Sequence, residues 1–175
     1  YQDKDERIRL TKDKFPHANP DAAGEWITWM AQVGGSWQIF LYSLVSQETV
    51  QLTMVGNNVN PAVSRKYVAW EGLVGGVWRV FLFDGVSVRQ LTEGESITDI
   101  DLNDDWLVYR QREAGGSGWR LKIGSIITDL VVDLGLGMEP KLSEDRLTWL
   151  TEAGGQLIQQ EYRFSQEPTA TATPA

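Results

Sequence analysis

Four oxygen-bearing side chains recur at a nearly constant spacing and are the best candidates for a binding site. Asn19, Asn60, Asp99 and Glu139 are separated by steps of 41, 39 and 40 residues. If each lies on an equivalent strand around one axis, the four form a polar ring at a channel mouth. Their oxygens suit a hard cation or the hydroxyl groups of a ligand. The opposing interpretation is an ordinary turn role, because Asn19 and Asn60 each precede a proline.

Other groups that could do chemistry are scarce. The chain has one histidine, His17, and no cysteine, which excludes multi-histidine zinc sites, zinc-thiolate sites and disulfides. The aspartates at 99, 101, 104 and 105 resemble a calcium loop but lack the glycine and terminal glutamate of an EF-hand. We therefore expect no catalytic residues, metal or cofactor. The alternative is a carboxylate-dependent glycan hydrolase or lyase, because a sequence does not show how far apart carboxylates lie.

Three aromatic residues could extend the ligand surface. Trp26, Tyr67 and Trp106 share one position of a repeated strand. Aromatic faces stack on sugar rings, and Trp and Tyr also dominate protein interfaces. We predict a ligand surface at the channel mouth or near these aromatics, with a glycan or a protein as the partner. Burial between neighbouring sheets is the competing role for the aromatics.

Composition limits the partners. The formal charge of −8 and the pI near 4.7 argue against nucleic acids and anionic membranes, since both require a basic surface. No apolar run is long enough to cross a bilayer, so we predict no membrane insertion. The chain begins at Tyr1 with no signal segment, which favours a processed or excised piece.

The elements that must position these residues are repeated. Gln51-Leu52-Thr53 returns as Gln90-Leu91-Thr92, and glycine pairs recur at steps of 41, 40 and 39 residues. These pairs are Gly34-Gly35, Gly75-Gly76, Gly115-Gly116 and Gly154-Gly155. A period of this length with β-rich units indicates the blades of a β-propeller.

One repeat illustrates the predicted blade. Strands are expected at 60–64, 67–70, 78–83 and 88–92, where β-branched and aromatic residues are dense. A glycine-rich loop is expected at 71–76, in which Gly75 and Gly76 take positive φ values.

Counting strands predicts how the domain closes. Units begin near residues 16, 57 and 95, and a fourth begins near 137 without its last strand. Residues 7–11 contain Arg9-Leu10-Thr11, a match to the repeated tripeptide, and could supply that strand. We predict an all-β fold over 1–165: a four-bladed β-propeller monomer of four antiparallel strands per blade, closed by the N-terminal strand. The alternative is a dimer that forms an eight-bladed ring. Residues 166–175 read as a Pro/Thr/Ala-rich linker or tail.

The repeats resemble those of the TolB-type propellers, most closely the variants of bacterial envelope and secreted proteins. The resemblance covers residues 8–164 and rests on Trp37 to Tyr42, Gln51-Leu52-Thr53, Asn60 to Ser64 and Val68-Ala69-Trp70. It implies an extracellular or cell-envelope propeller used for protein or glycan contact, and it brings no catalytic residues. The usual Ser-Pro-Asp-Gly turn is replaced here by Ser64-Arg65-Lys66. The expected function is therefore a non-catalytic binding or scaffolding module of a larger exported bacterial protein.

Overall fold

The computed structural model describes residues 8–128 and 130–164, which form four antiparallel sheets, one for each sequence repeat. Sheets 1 to 3 have four strands each, in chain order, and sheet 4 has three. Sheet 1 contains β1 (His17–Ala23), β2 (Trp26–Val33), β3 (Ser36–Ser43) and β4 (Thr49–Gln51); sheet 2 contains β5 (Asn58–Val63), β6 (Val68–Val74), β7 (Val77–Phe83) and β8 (Val88–Gln90). Sheet 3 contains β9 (Ile97–Leu102), β10 (Trp106–Arg112), β11 (Trp119–Ser125) and β12 (Val131–Gly135); sheet 4 contains β13 (Met138–Leu142), β14 (Arg146–Ala153) and β15 (Gln156–Arg163). The predicted all-β architecture of four repeats is confirmed.

Two segments at the chain ends bear on the predicted domain limits. Residues 8–12 precede β1 and are not in a strand, and no described residue pairs with the free edge of β15. The predicted closing strand is thus not among the described pairings, and Arg7 and the predicted tail at 166–175 lie outside the described residues. The described part of the chain contains no helix able to cross a membrane.

The hairpin between β6 and β7 is tighter than the sequence suggested. Gly75 and Gly76 have φ values of 58° and 82°, as predicted for the turn. The predicted loop at 71–76 is nevertheless wrong in extent, because β6 continues through Val74 and leaves a two-residue turn. Strand pairing of 71–74 with β7 satisfies backbone groups that a loop would leave to solvent. This extension places Glu71 inside a strand.

The repeated Gln-Leu-Thr tripeptide has a structural role at the ends of the outer strands β4 and β8. The Thr53 hydroxyl accepts a hydrogen bond from the Ile39 amide at 2.9 Å, and Gln51 Nε2 donates to the Thr53 carbonyl at 2.7 Å. Thr92 accepts from the Val80 amide at 2.9 Å in the same way. The side chains therefore satisfy backbone groups where the regular pairing of the sheet ends.

The hydrophobic core lies between successive sheets rather than in one central cluster. Between sheets 1 and 2, Ile39 packs near Trp70, and between sheets 2 and 3, Leu82 packs near Leu107. A third cluster between sheets 3 and 4 includes Leu121. Sheets 2 and 3 are therefore apolar on both faces, as sheets covered by neighbours must be.

Candidate functional site

The four predicted ring residues all occupy one unusual backbone conformation. Asn19, Asn60, Asp99 and Glu139 have φ values of 47°, 50°, 54° and 52°. Each lies at a register shift in the first strand of its sheet, where two residues bulge out of the pairing with the second strand. A β-bulge redirects side chains locally, and asparagine and aspartate tolerate the left-handed region better than most residues. The four residues that the spacing predicts to be equivalent thus share one backbone conformation, and their role in binding stays a prediction.

The first strands of all four sheets line one polar cavity. The cavity has a volume of about 610 Å³, and we call it the upper cavity; its walls include Asn19, Asn60 and Asp99, together with Lys141 from β13. Glu139 occupies the equivalent bulge on β13 but is exposed, and Lys141 represents that strand in the wall instead. The structure thus brings three of the four predicted residues into one site.

Two contacts organise the predicted residues within the cavity. Asn19 Nδ2 donates a hydrogen bond to Asn60 Oδ1 at 2.7 Å, which joins sheets 1 and 2. The Asp99 carboxylate accepts from Arg110 Nη1 at 2.7 Å, so its charge is neutralised within sheet 3. Asn19, Asn60 and Asp99 therefore each have a hydrogen-bond partner within the protein.

Glu71, which was not among the predicted site residues, is the most unusual polar side chain in the cavity wall. Only 3% of its surface is exposed, and Oε1 is buried with no hydrogen-bond partner. The preceding residue, Trp70, anchors β6 to the two strands beside it. Trp70 Nε1 donates to Asn58 Oδ1 of β5 at 3.1 Å, and the Trp70 ring stacks on Phe81 of β7. Gly72 permits that stack, because a Cβ there would lie 2.7 Å from the Phe81 ring.

Burial dominates the electrostatics of Glu71. It raises the pKa of this carboxyl from 4.5 to about 7, and the negative charge of Asp99 adds to the increase. Asn60 and the backbone amides of Asp99 and Ile100 lower the pKa by less than burial raises it. Desolvation favours the neutral acid, so Glu71 exchanges its proton near neutral pH.

Two other carboxylates in the cavity wall join neighbouring sheets. Asp21 Oδ2 accepts a hydrogen bond from the Val63 amide at 2.8 Å, which joins sheets 1 and 2. Asp101 Oδ2 accepts from the Leu142 amide at 2.9 Å, which joins sheets 3 and 4. Burial raises the pKa of Asp101 even though the backbone amides of Leu142 and Leu102 and the nearby Lys141 lower it. In sheet 2 the position equivalent to Asp21 and Asp101 is Ala62, which has no carboxylate.

A second cavity, of about 350 Å³, lies at the opposite ends of the same strands, and we call its rim the lower mouth. There Arg65 bonds to Asp104 at 3.0 Å and to Glu144 at 3.1 Å, linking sheets 2, 3 and 4. Asn103 Nδ2 donates to the Ser143 carbonyl at 2.8 Å. Partial burial raises the pKa of Asp104, but the Ser64 hydroxyl and Arg65 outweigh it and leave that pKa below its ordinary value.

The predicted aromatic residues lie in the interfaces between sheets. Trp26 packs against Phe83 with ring centroids 6.3 Å apart, and Trp106 stacks on Phe164 at 5.8 Å. Tyr67 is partly buried against the cluster between sheets 2 and 3. None of the three is in the wall of the upper cavity as described. Their role in ligand binding stays a prediction.

The aspartates at 99, 101, 104 and 105 do not form a metal site. Within residues 8–128 and 130–164, no three His, Asp or Glu side chains lie close enough together to hold a metal ion. Asp99 instead pairs with Arg110, Asp101 accepts the Leu142 amide, and Asp104 pairs with Arg65.

An alignment of the repeats is the sequence signal that could have revealed Glu71. It shares a repeated position with Met30, Arg110 and Leu150, so an acid stands where two of the other three repeats are apolar.

No family model matches the sequence, and no curated protein matches it. Solved structures do resemble the fold. TolB from Acinetobacter baumannii matches 88% of this chain with a TM-score of 0.68 and 19% identity. The β-propeller domain of the trilobed protease from Pyrococcus furiosus, which has an open velcro topology, matches 87% with a TM-score of 0.63 and 14% identity. Acylaminoacyl peptidase from Pyrococcus horikoshii matches 85% with a TM-score of 0.63 and 13% identity.

These likenesses show the fold alone. The chain spans 42%, 55% and 26% of those three chains, which is less than two thirds of each. The chain therefore has a TolB-like β-propeller fold, as its repeats indicated. Because the similar structures include peptidases as well as TolB, the fold does not decide whether the protein is an enzyme.

Proposed function

We propose that the protein is a non-catalytic recognition module that binds a partner at the upper cavity, within a larger exported bacterial protein. One observation carries the proposal: side chains from all four sheets converge on this cavity, and most of its charged groups hold the protein together. Asp99 is paired with Arg110, while Asp21 and Asp101 each accept a backbone amide of the next sheet. Groups fixed in this way form a rigid polar surface suited to binding.

The partner that we propose is a protein. The cavity wall is polar and includes prolines and alanines but none of the predicted aromatic residues, whereas sugar sites commonly use an aromatic platform. Trp26, Tyr67 and Trp106 pack between sheets instead. A protein segment can present charged and amide groups to such a wall without stacking. Glycan contact remains the second possibility for the same surface.

A site-specific crosslinking experiment tests the proposal. A photoreactive amino acid would replace the exposed Ala22 at the upper cavity, and the matched control would replace the exposed Lys66 near the lower mouth. In an envelope extract of the organism that encodes the protein, we expect a crosslinked protein from position 22 and none from position 66. The same product from both positions, or none from either, would contradict binding at the upper cavity.

One observation favours an enzyme instead. The raised pKa of Glu71 in a cavity with other acids is the arrangement that glycosidases use for a general acid. The second acid of such a pair must be free to act on water or sugar, yet Asp99 and Asp101 are already bonded. Turnover in a polysaccharide panel, abolished by Glu71→Gln, would establish the hydrolase or lyase alternative.

Ring closure by the N-terminal segment belongs to the same proposal. Arg9 Nε donates to the Thr11 carbonyl at 2.6 Å, as Gln51 and Gln90 do to Thr53 and Thr92 in sheets 1 and 2. The segment thus has the local geometry of the outer-strand motif, and none of the described strands pairs with the outer edge of β15. Light scattering should give a monomer. A stable dimer that dissociates when residues 1–11 are deleted would instead indicate the eight-bladed ring.

A further inference from the structure

Glu71 presents an acceptor that no donor in the described structure satisfies. Its Oε1 atom is buried in the wall of the upper cavity, and the side chain is 3% exposed. Most buried polar atoms have a partner, because an unpaired one loses its water without compensation. Asn60 and the backbone amides of Asp99 and Ile100 lie near this carboxyl and lower its pKa, but none of them makes a hydrogen bond to Oε1. The site therefore favours a ligand that brings a hydrogen-bond donor to this atom.

The charges around the cavity select a cation. Asp21, Asp99 and Asp101 lie in the same wall as Glu71, and Lys141 is the basic residue among the lining side chains. Lys141 is largely exposed and lies 3.9 Å from Asp101. The cavity is thus predominantly acidic, and a cationic group would gain Coulombic stabilisation that increases as water is excluded.

The shape of the acceptor set favours a primary ammonium over a guanidinium. A guanidinium is planar and binds best to two parallel acceptors, whereas an ammonium is a compact group with three donors. Here one carboxylate oxygen of Glu71 is buried without a partner, and Asn60 Oδ1 already accepts one hydrogen bond from Asn19. The walls also include Pro20 and Pro61, against which an alkyl chain can pack.

We propose that the upper cavity binds an alkyl primary ammonium group, with Glu71 as its principal acceptor. This inference rests on the proposed recognition function and specifies its ligand. The ammonium would come from a lysine side chain of a partner protein or from a free alkylamine, which share the same chemistry. Asn60 and Asp99 lie beside Glu71 and orient the remaining donors.

Ionisation of Glu71 gives the proposal a distinctive pH dependence. The pKa of Glu71 is raised to about 7 by burial and by Asp99, while Asp101, Asp21, Lys141 and Arg110 are the other charged groups around the cavity. The ammonium requires the ionised carboxylate, so below about pH 7 each binding event releases a proton. Affinity should therefore rise about tenfold from pH 6 to pH 8, since this interval spans the titration.

Calorimetry with small probes tests the ligand class. The probes are n-pentylamine, N-acetyl-lysine amide, the same compound acetylated at its side-chain nitrogen, and N-acetyl-arginine amide. We expect N-acetyl-lysine amide to bind about tenfold more tightly at pH 8 than at pH 6, and the acetylated probe at least tenfold more weakly at pH 8. The arginine probe should bind several-fold more weakly. Tighter binding of n-pentylamine would assign the site to free amines.

Two variants test whether Glu71 itself is the acceptor of the ammonium group. At pH 8, Glu71→Gln should bind N-acetyl-lysine amide at least tenfold more weakly than the parent protein. Its affinity should also no longer depend on pH. A cooperative thermal unfolding transition would confirm that the variant is folded. Glu144→Gln, an acid at the lower mouth, is the matched control and should bind as the parent does. Equal affinity for the acetylated probe, or unchanged binding by Glu71→Gln, would overturn the proposal. If position 22 still crosslinks to a partner that lacks lysine at the contact, the recognition function stands and the ammonium inference fails.

Discussion

At the lower mouth Arg65 reaches carboxylates of two other sheets, whereas at the upper cavity Glu71 is buried with no donor for Oε1. Both regions are built from the same four first strands and both contain acids. Arg65 is 60% exposed, so water screens its ion pairs and each contributes little to stability. Glu71 is almost fully buried, so its charge carries a large desolvation cost. Both regions contain contacts that join neighbouring sheets, but only the upper cavity also has a buried carboxylate oxygen without a partner among the described residues.

The largest expected effect comes from removing the charge of Glu71. In the folded protein its pKa is about 7, against an ordinary 4.5, so the stability associated with its protonated form is present below pH 4.5 and is lost as the pH rises through 7. Glu71→Gln cannot ionise and should raise the free energy of unfolding at pH 8.5 by about 3 kcal/mol, with little change at pH 4. Chemical denaturation at both values measures this. Glu144→Gln, the same change at the exposed lower mouth, should stay within about 0.5 kcal/mol. An equal response of both variants would remove the contrast between the two mouths.

A medium effect is expected where an acid of the upper cavity joins two sheets. Asp21→Ala removes the acceptor of the Val63 amide and should lower the free energy of unfolding by about 2 kcal/mol, since a buried amide is left unpaired. Asp21→Asn keeps an oxygen at that place and should recover more than half of the loss. Urea denaturation of the two variants measures this difference. If alanine and asparagine are equally destabilising, charge rather than the hydrogen bond accounts for the role of Asp21.

A smaller effect is expected at the lower mouth. Arg65→Ala should lower the free energy of unfolding by about 1 kcal/mol or less, because its ion pairs are exposed. The loss should shrink further in 0.5 M salt, which screens exposed charges. Thermal unfolding at two salt concentrations is the measurement. A loss as large as that of Asp21→Ala, unaffected by salt, would show that water does not screen the ion pairs of Arg65.

The smallest effect tests the bulges. Glu139 has a φ value of 52° in β13, where a glutamate side chain is less favourable than asparagine or glycine. Glu139→Asn should raise the free energy of unfolding by about 0.5 kcal/mol. Val132→Asn, at an exposed site on β12, provides the matched control and should bring no gain. Differential scanning calorimetry can resolve both. A loss of stability in Glu139→Asn would indicate that the glutamate makes a contact outside the described structure.

Repetition in the sequence was sufficient to predict most of the fold. The steps between glycine pairs locate the four sheets, and three of the four ring residues, Asn19, Asn60 and Asp99, lie in the wall of one cavity. Spacing works here because equivalent positions of a repeat adopt the same backbone. Differences between repeats are harder to predict. Gly72, Gly75 and Gly76 resemble a long turn, so the sequence predicts a loop at Glu71 where the structure has a strand.

Chemistry at the site could be predicted less well than geometry. Whether Asp99 is free or paired depends on Arg110, which lies eleven residues away and reaches it only after β9 and β10 pair. The use of Trp26 and Trp106 as packing groups likewise depends on which face meets the next sheet. Such contacts are set by tertiary structure, and residue types alone do not determine them.

The left-handed bulges limit how this mouth can be redesigned by mutation. At φ values near 50°, asparagine, aspartate and glycine can replace one another at little backbone cost, but β-branched residues cannot. Three of the four positions already carry an amide or a short acid, and exchange between these two changes charge without changing shape. The charge of the mouth could thus be altered one unit at a time, from strongly acidic to neutral, on an unchanged scaffold. Selectivity for differently charged ligands would then evolve in small steps, each compatible with a folded propeller.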